Sequence, residues 1–241
     1  MKQENWYDVD TVRGGDFSLS NAFPILMRKV FVWMTLALAI TGLTAYGVAS
    51  SPALMGMIFS NKAIFWGLII AELGLVIAIS GAINRLSLAT ATLLFILYSV
   101  VNGATLSVIF LAYSTTVIAK TFFITAGTFG AMALVGYTTK TDLTSIGKLL
   151  FMALIGIIIA SVVNIFVGSS GLDLIISYVG VLVFVGLTAY DTQKIKEMCR
   201  MAPDAGESMQ KLALLGSLSL YLDFVNLFLY LLRIFGGSNK D

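Results

Sequence analysis

The chain contains no histidine, one cysteine (Cys199), three prolines and few charges: 12% of its 241 residues are Asp, Glu, Lys or Arg. Each shortage excludes something. Without histidine there is no Ser-His-Asp or Cys-His catalysis, none of the usual zinc clusters and no His-ligated haem. A lone cysteine forms no internal disulfide, and Cys199 reads as a solvated loop thiol. The formal charge of +2 is too small to point to a nucleic-acid partner. Charged residues stand at roughly half the 25% of a soluble domain, while 58% of the chain is hydrophobic and the mean hydropathy is +0.93. One soluble core of this length cannot hide so much apolar surface. The chain therefore reads as an all-α integral membrane protein.

A helix needs about 20 mostly apolar residues to cross a bilayer. Charge-free runs lie between Lys29 and Lys62, Arg85 and Lys120, Lys120 and Lys140, Lys148 and Asp173, and Asp173 and Asp191. Two further apolar runs each hold one acid near the middle, Glu72 in 63–84 and Asp223 in 212–232. Trimmed, these predict seven transmembrane helices at 30–49, 63–84, 88–112, 120–138, 149–168, 173–195 and 212–232. The domain reading is a polar tail over 1–29, a seven-helix membrane domain over 30–236 and a short tail over 237–241. Residues 1–29 lack a signal peptide's apolar core and cleavage site. Pro24 precedes the first span and Pro52 and Pro203 fall in connections, so proline breaks no predicted span.

Basic residues set the orientation. With the N-terminus in the cytoplasm, that side receives Lys2, Arg13, Arg28, Lys29, Arg85, Lys140, Lys148, Lys194, Lys196, Arg200 and Lys211. The other receives only Lys62, Lys120, Arg233 and Lys240, and the C-terminus lies outside. The longest polar connection, 193–211, is then cytoplasmic. Trp33 and Trp66 fit interfacial anchoring.

Polar groups inside spans are informative, because a charge at mid-bilayer costs at least ~2.5–3.5 kcal/mol on insertion scales. In the last helix Gly216, Ser219, Asp223, Asn226 and Tyr230 recur at three- and four-residue intervals, which puts them on one stripe. A packing seam bonded across helices explains Ser219 and Asn226 but explains an acid poorly. Asp191 ends the sixth span; on the strictest boundaries it lies about 16 Å from the depth of Asp223, and pairing them requires that helix to continue. Glu72 and Arg85 are thirteen residues apart, on different faces of one helix. Arg85 and Asp191 share the cytoplasmic side and could pair between helices. Asn102 with Thr105, Asn164 with Gly156 and Ala160, and the glycine-rich stretch 127–136 read as close helix packing.

Two membrane aspartates suggest two chemistries. One is an aspartyl protease, with a proton shared between carboxylates that activate water. Tyr190-Asp191 fits the tyrosine-aspartate element of presenilin-like proteases, but Leu220, Tyr221 and Leu222 stand where their Gly-x-Gly-Asp is needed. An enzyme is therefore not expected. The other is cation passage: two carboxylates facing one cavity hold Ca²⁺ weakly through oxygen ligands, and passage requires easily undone binding. Two carboxylates held together do not readily ionise at once and can share a proton, so the pair is also a pH sensor.

The stretches Gly136-Tyr137-Thr138-Thr139-Lys140-Thr141-Asp142-Leu143, Phe151-Met152-Ala153-Leu154-Ile155-Gly156, Val185-Gly186-Leu187-Thr188-Ala189-Tyr190-Asp191-Thr192-Gln193 and Tyr221-Leu222-Asp223-Phe224-Val225-Asn226-Leu227-Phe228 strongly resemble the Bax inhibitor-1 family, its bacterial members above all. The resemblance runs from about residue 22 to 236. It departs at Asn102-Gly103-Ala104-Thr105, where many relatives carry a Gly-Pro step. The resemblance implies a seven-helix bundle with the last helix central, an inner-membrane location and a pH-sensitive Ca²⁺ leak. It implies that Asp191 and Asp223 form the di-aspartyl sensor and weak calcium site, and that Arg85 latches the closed state. Glu72, Ser219 and Asn226 are the candidates for lining a pore or binding the ion. Calcium is the transported ion, and no resident cofactor is expected. The expected partners are the lipid bilayer, calcium and protons. The alternative is a non-transporting regulator that restrains a partner such as a membrane protease, with the tail 1–29 and the loop 193–211 as contacts.

Overall fold

The computed structural model describes the backbone of residues 7–237 and the side chains from Ala22 to Gly237. Within these limits the chain is a run of helices: α1 (Tyr7–Ala49), α2 (Pro52–Ser60), α3 (Lys62–Ala82), α4 (Leu88–Leu106), α5 (Ile109–Ala112), α6 (Thr115–Thr138), α7 (Thr144–Val167), α8 (Ser170–Arg200) and α9 (Glu207–Gly237). Seven spans are long and apolar enough to cross a membrane, with α4 and α5 forming one of them. The seven predicted spans are therefore present. The extreme tail residues, with Lys2 and Lys240, lie outside the described residues.

The helix ends follow local chemistry. Ser51, Asn61, Ser87, Ser114 and Ser169 each accept a hydrogen bond from a first-turn backbone N–H, which satisfies donors that lipid could not. Pro52 occupies the first turn of α2, where its missing N–H is harmless. Gly168 ends α7 at φ 64°, a left-handed cap that a side chain resists.

Several expectations change. Pro24 lies inside α1, and the boundary drawn at 29/30 cuts through that helix. The helix persists because Ala22, Leu26, Met27 and Val30 are buried against the bundle, and packing offsets the one backbone bond that proline removes. The connection 193–211 shrinks to 201–206, because α8 runs to Arg200 and α9 starts at Glu207. Cys199 is accordingly no loop thiol: it is buried at 1% exposure on the inner face of α8. Asn164 caps rather than packs, its Oδ1 accepting from the Ser169 N–H at 3.1 Å. A side chain at Gly156 would meet nothing within 4 Å, and the same holds at Gly127 and Gly130.

The last helix is central, packing against α8, α1, α6 and α4. Around it α1 leans on α4, and α8 leans on α6 and α7. The rim helices are α7, against α8, and α3, which leans on α4 and α2. Helices approach closely where glycine permits. A Cβ on Gly136 of α6 would overlap the Ala189 backbone of α8. One on Gly103 of α4 would lie 2.6 Å from the Thr41 carbonyl oxygen of α1. Small residues at such crossings are how membrane helices bring backbones together.

Candidate functional site

The stripe on α9 faces α8 along its length. Gly216 meets Ile195, Ser219 lies beside the Asp191 carboxyl, and Tyr230 covers Gly180 while stacking on Phe184. The hairpin thus sets residue 195 level with 216, 191 with 219 and 180 with 230. Asp223 is one helical turn, about 6 Å, deeper than Ser219. The two acids are therefore close in depth, because α8 continues nine residues past Asp191.

Asp191 (9% exposed) and Asp223 (5% exposed) are both buried and within Coulombic reach of one another. They line a cavity of about 480 Å³ with Glu72, Tyr98, Ser219, Asn226 and Tyr230. Its remaining walls are apolar and include Leu73, Phe151 and Leu187. Asp223 Oδ2 has no hydrogen-bond partner although it is fully buried. Asn226 donates through Nδ2 to the Leu222 carbonyl at 2.8 Å, which leaves its Oδ1 as a free acceptor. Among the described residues no lysine or arginine lines the cavity; Lys194, a turn further along α8, is the base that acts on Asp191. Among the described residues no three His, Cys, Asp or Glu gather as a metal cluster.

Arg85 is not brought to the pair. It sits exposed in the turn after α3, and neither ion pair among the described residues includes it. The reason is the placement of α3, which leans on α4 and α2 rather than on α8 or α9. Glu72 does reach the cavity, but its Oε2 accepts from Asn102 Nδ2 at 3.2 Å. Asn102, read from sequence as packing, is thus a polar link between α3 and α4.

One residue of this region is not among the site candidates that the sequence pattern offers. Tyr221 lies off the polar stripe, and its ring is completely buried at 0% exposure, edge-on to Phe95 and Tyr98. Its hydroxyl is 2.7 Å from Thr41 Oγ1 and 2.9 Å from Asn102 Oδ1. A tyrosine among leucines is the only sequence signal it offers: a buried phenol needs a partner.

At the end of the bundle where α6 meets α7, the loop 139–143 is clamped to α8. Gln193 Nε2 donates to the Thr141 carbonyl at 2.8 Å, and Gln193 Oε1 accepts from the Leu143 N–H at 2.8 Å. Asp142 accepts from the Thr144 N–H at 2.8 Å. Its bonds to Thr144 hold its carboxyl below the ordinary carboxylate range. Two of the motif stretches, 136–143 and 185–193, are thereby one structural unit with the Asp191 site.

The family model described as "Inhibitor of apoptosis-promoting Bax1" matches residues 24–240. The inner membrane protein YbhL of Escherichia coli (strain K12) is 53% identical over 212 residues, 88% of this chain and 91% of that protein. A protein of Borreliella burgdorferi is 51% identical over 215 residues, covering 89% of this chain and 93% of its own. The protein RP147 of Rickettsia prowazekii is 45% identical over 217 residues, 89% and 90% of the two chains. None of these names describes a catalytic activity.

Proposed function

The chain belongs to the Bax inhibitor-1 family, and we propose that it is a pH-sensitive Ca²⁺ leak channel of the inner membrane, gated by protonation of the Asp191–Asp223 pair. The observation that carries this reading is two buried carboxylates on adjacent helices that share one cavity, with no base lining it among the described residues. Two such groups do not readily ionise together, and one shared proton lets α8 and α9 close on each other. When it leaves, the repulsion loosens the hairpin at the cavity. The paired carboxylates, with the free Oδ1 of Asn226 and the Ser219 hydroxyl, are hard oxygen ligands that suit Ca²⁺. Too few carboxylates converge for tight retention, as a leak requires. Arg85 has no part in the gate in this arrangement. The N-terminus is cytoplasmic, following the basic residues.

The test is Ca²⁺ flux into liposomes carrying the purified protein, followed across pH. Wild type is expected to pass more Ca²⁺ as pH rises through deprotonation of the pair. Asp191→Asn and Asp223→Asn, which keep shape but remove the titration, are expected to lose that dependence. An unchanged pH profile in both variants overturns the sensor. Absence of flux from folded protein overturns the leak and leaves partner restraint as the activity to pursue.

A further inference from the structure

Four short contacts tie together four helices: Glu72 Oε2 to the Asn102 amide (3.2 Å), Asn102 to the Tyr221 hydroxyl (2.9 Å), Tyr221 to the Thr41 hydroxyl (2.7 Å) and Thr41 to the Ser99 carbonyl (3.0 Å). They run from α3 through α4 and α9 to α1 and back to α4. The Ser99 carbonyl only accepts, so Thr41 must donate to it with its single hydroxyl proton. Thr41 must then accept from Tyr221, whose one proton is used there. Tyr221 must in turn accept from Asn102, so the amide nitrogen faces Tyr221 and the amide oxygen faces Glu72. Amide oxygen and nitrogen exchange places by a half-turn, so either orientation fits the same shape. An oxygen facing Glu72 needs a donor, and an ionised carboxylate has none. With Glu72 ionised, the amide points the other way and Tyr221 donates to Asn102; the single Thr41 proton then serves either Tyr221 or the Ser99 carbonyl, and one of these two links has no proton.

We infer that Glu72 is a proton-binding site of its own, whose carboxylic proton completes the hydrogen-bond chain Glu72–Asn102–Tyr221–Thr41–Ser99. The ligand is a proton supplied through the cavity that Glu72 lines. Binding it turns the Asn102 amide by a half-turn and closes both halves of a latch at Thr41, to Tyr221 of α9 and to Ser99 of α4. Losing it opens one half of that latch. The latch lies where α1 and α4 already touch, since Gly103 meets the Thr41 backbone. The titratable groups around Glu72 are Tyr98 of α4, Tyr221, Asp223 and Tyr230 of α9, and Asp191 of α8 across the cavity. Helix α2 presents none. Thr105 lies beside the carboxyl as well, with its hydroxyl donating to the Val101 carbonyl at 3.3 Å. The inference does not rest on calcium passage.

The experiment is difference infrared spectroscopy of the full chain in lipid as pH is varied. Asp191→Asn and Asp223→Asn are both present, so that Glu72 is the intramembrane carboxyl left to read. A carboxylic C=O band that titrates and disappears in Glu72→Gln is expected. Removing a link should weaken proton binding about threefold, the size of one interhelical hydrogen bond, so Thr41→Val and Tyr221→Phe should each lower the midpoint pH. Leu220→Ala, which is buried beside Tyr221 but outside the chain, should destabilise the protein without moving the midpoint. Absence of a Glu72-dependent band between mildly acidic and neutral pH overturns the inference. So does a midpoint that Thr41→Val and Tyr221→Phe both leave in place.

Discussion

Helices α7 and α9 are both apolar enough to cross a membrane, yet they occupy opposite environments. The most apolar stretch of α7 has a mean hydropathy of 2.7 and is 6% buried; that of α9 has 1.8 and is 67% buried. The more apolar helix is the one left to the lipid. In water this order would be reversed. In a bilayer, lipid tails are as apolar as leucine, so hydrophobicity does not pull a helix inward. Small and polar residues do: α9 carries Gly216, Ser219, Asp223 and Tyr221, which need neighbours, whereas Ile158, Ile159, Val162, Ile165 and Phe166 of α7 are exposed.

The contrast breaks if the two helices respond alike to mutation. The largest expected difference is between Leu227→Ala in α9 and Ile159→Ala in α7. Leu227 is 0% exposed and Ile159 is 59% exposed. The first should cost about 2–5 kcal/mol and the second close to nothing, read as unfolding midpoints in detergent. Next comes a glycine pair. Gly136→Ala would force the Ala189 backbone aside, at about 1–3 kcal/mol. Gly156→Ala meets nothing within 4 Å and should stabilise by up to about 1 kcal/mol through helix propensity. The same unfolding assay decides both.

Smaller still is Tyr221→Phe, which removes the hydroxyl between Thr41 and Asn102 and keeps the ring. A loss of about 0.6–1.7 kcal/mol per bond is expected, whereas Tyr178→Phe on the exposed face of α8 should be neutral. The smallest effect belongs to the N-terminal end of α7. Asp142 bonds Thr144 as a carboxylate, so its contribution is present above the ordinary carboxylate range and is lost as pH falls through the lowered value. Asp142→Asn should slightly lower the thermal midpoint at neutral pH, and the difference should vanish in acid.

The functional region was legible from sequence in part. Asp191, Asp223, Ser219 and Asn226 were readable because helical periodicity relates residues three or four apart, and an acid in an apolar run stands out. Shared sidedness and the family resemblance group Arg85 with them, but sidedness gives depth and not direction around the bundle. Asn102 was legible as polar and not as a partner of Tyr221, 119 residues away. Cys199 is not legible as a core residue because the polar residues after Asp191 look like a loop, whereas helical hydrogen bonding continues through them as far as Arg200.

The scarcity of charge by itself determined that this chain spans a membrane seven times, because each span meets lipid as a separate local segment and its own hydropathy decides. It also determined which few polar groups lie inside. Tertiary structure alone decided which of them meet. Lipid is indifferent to which apolar face it touches, so the arrangement rests on glycine contacts and interhelical hydrogen bonds between residues far apart in the chain. Those contacts place α9 at the centre, Arg85 away from the aspartate pair and Glu72 against Asn102.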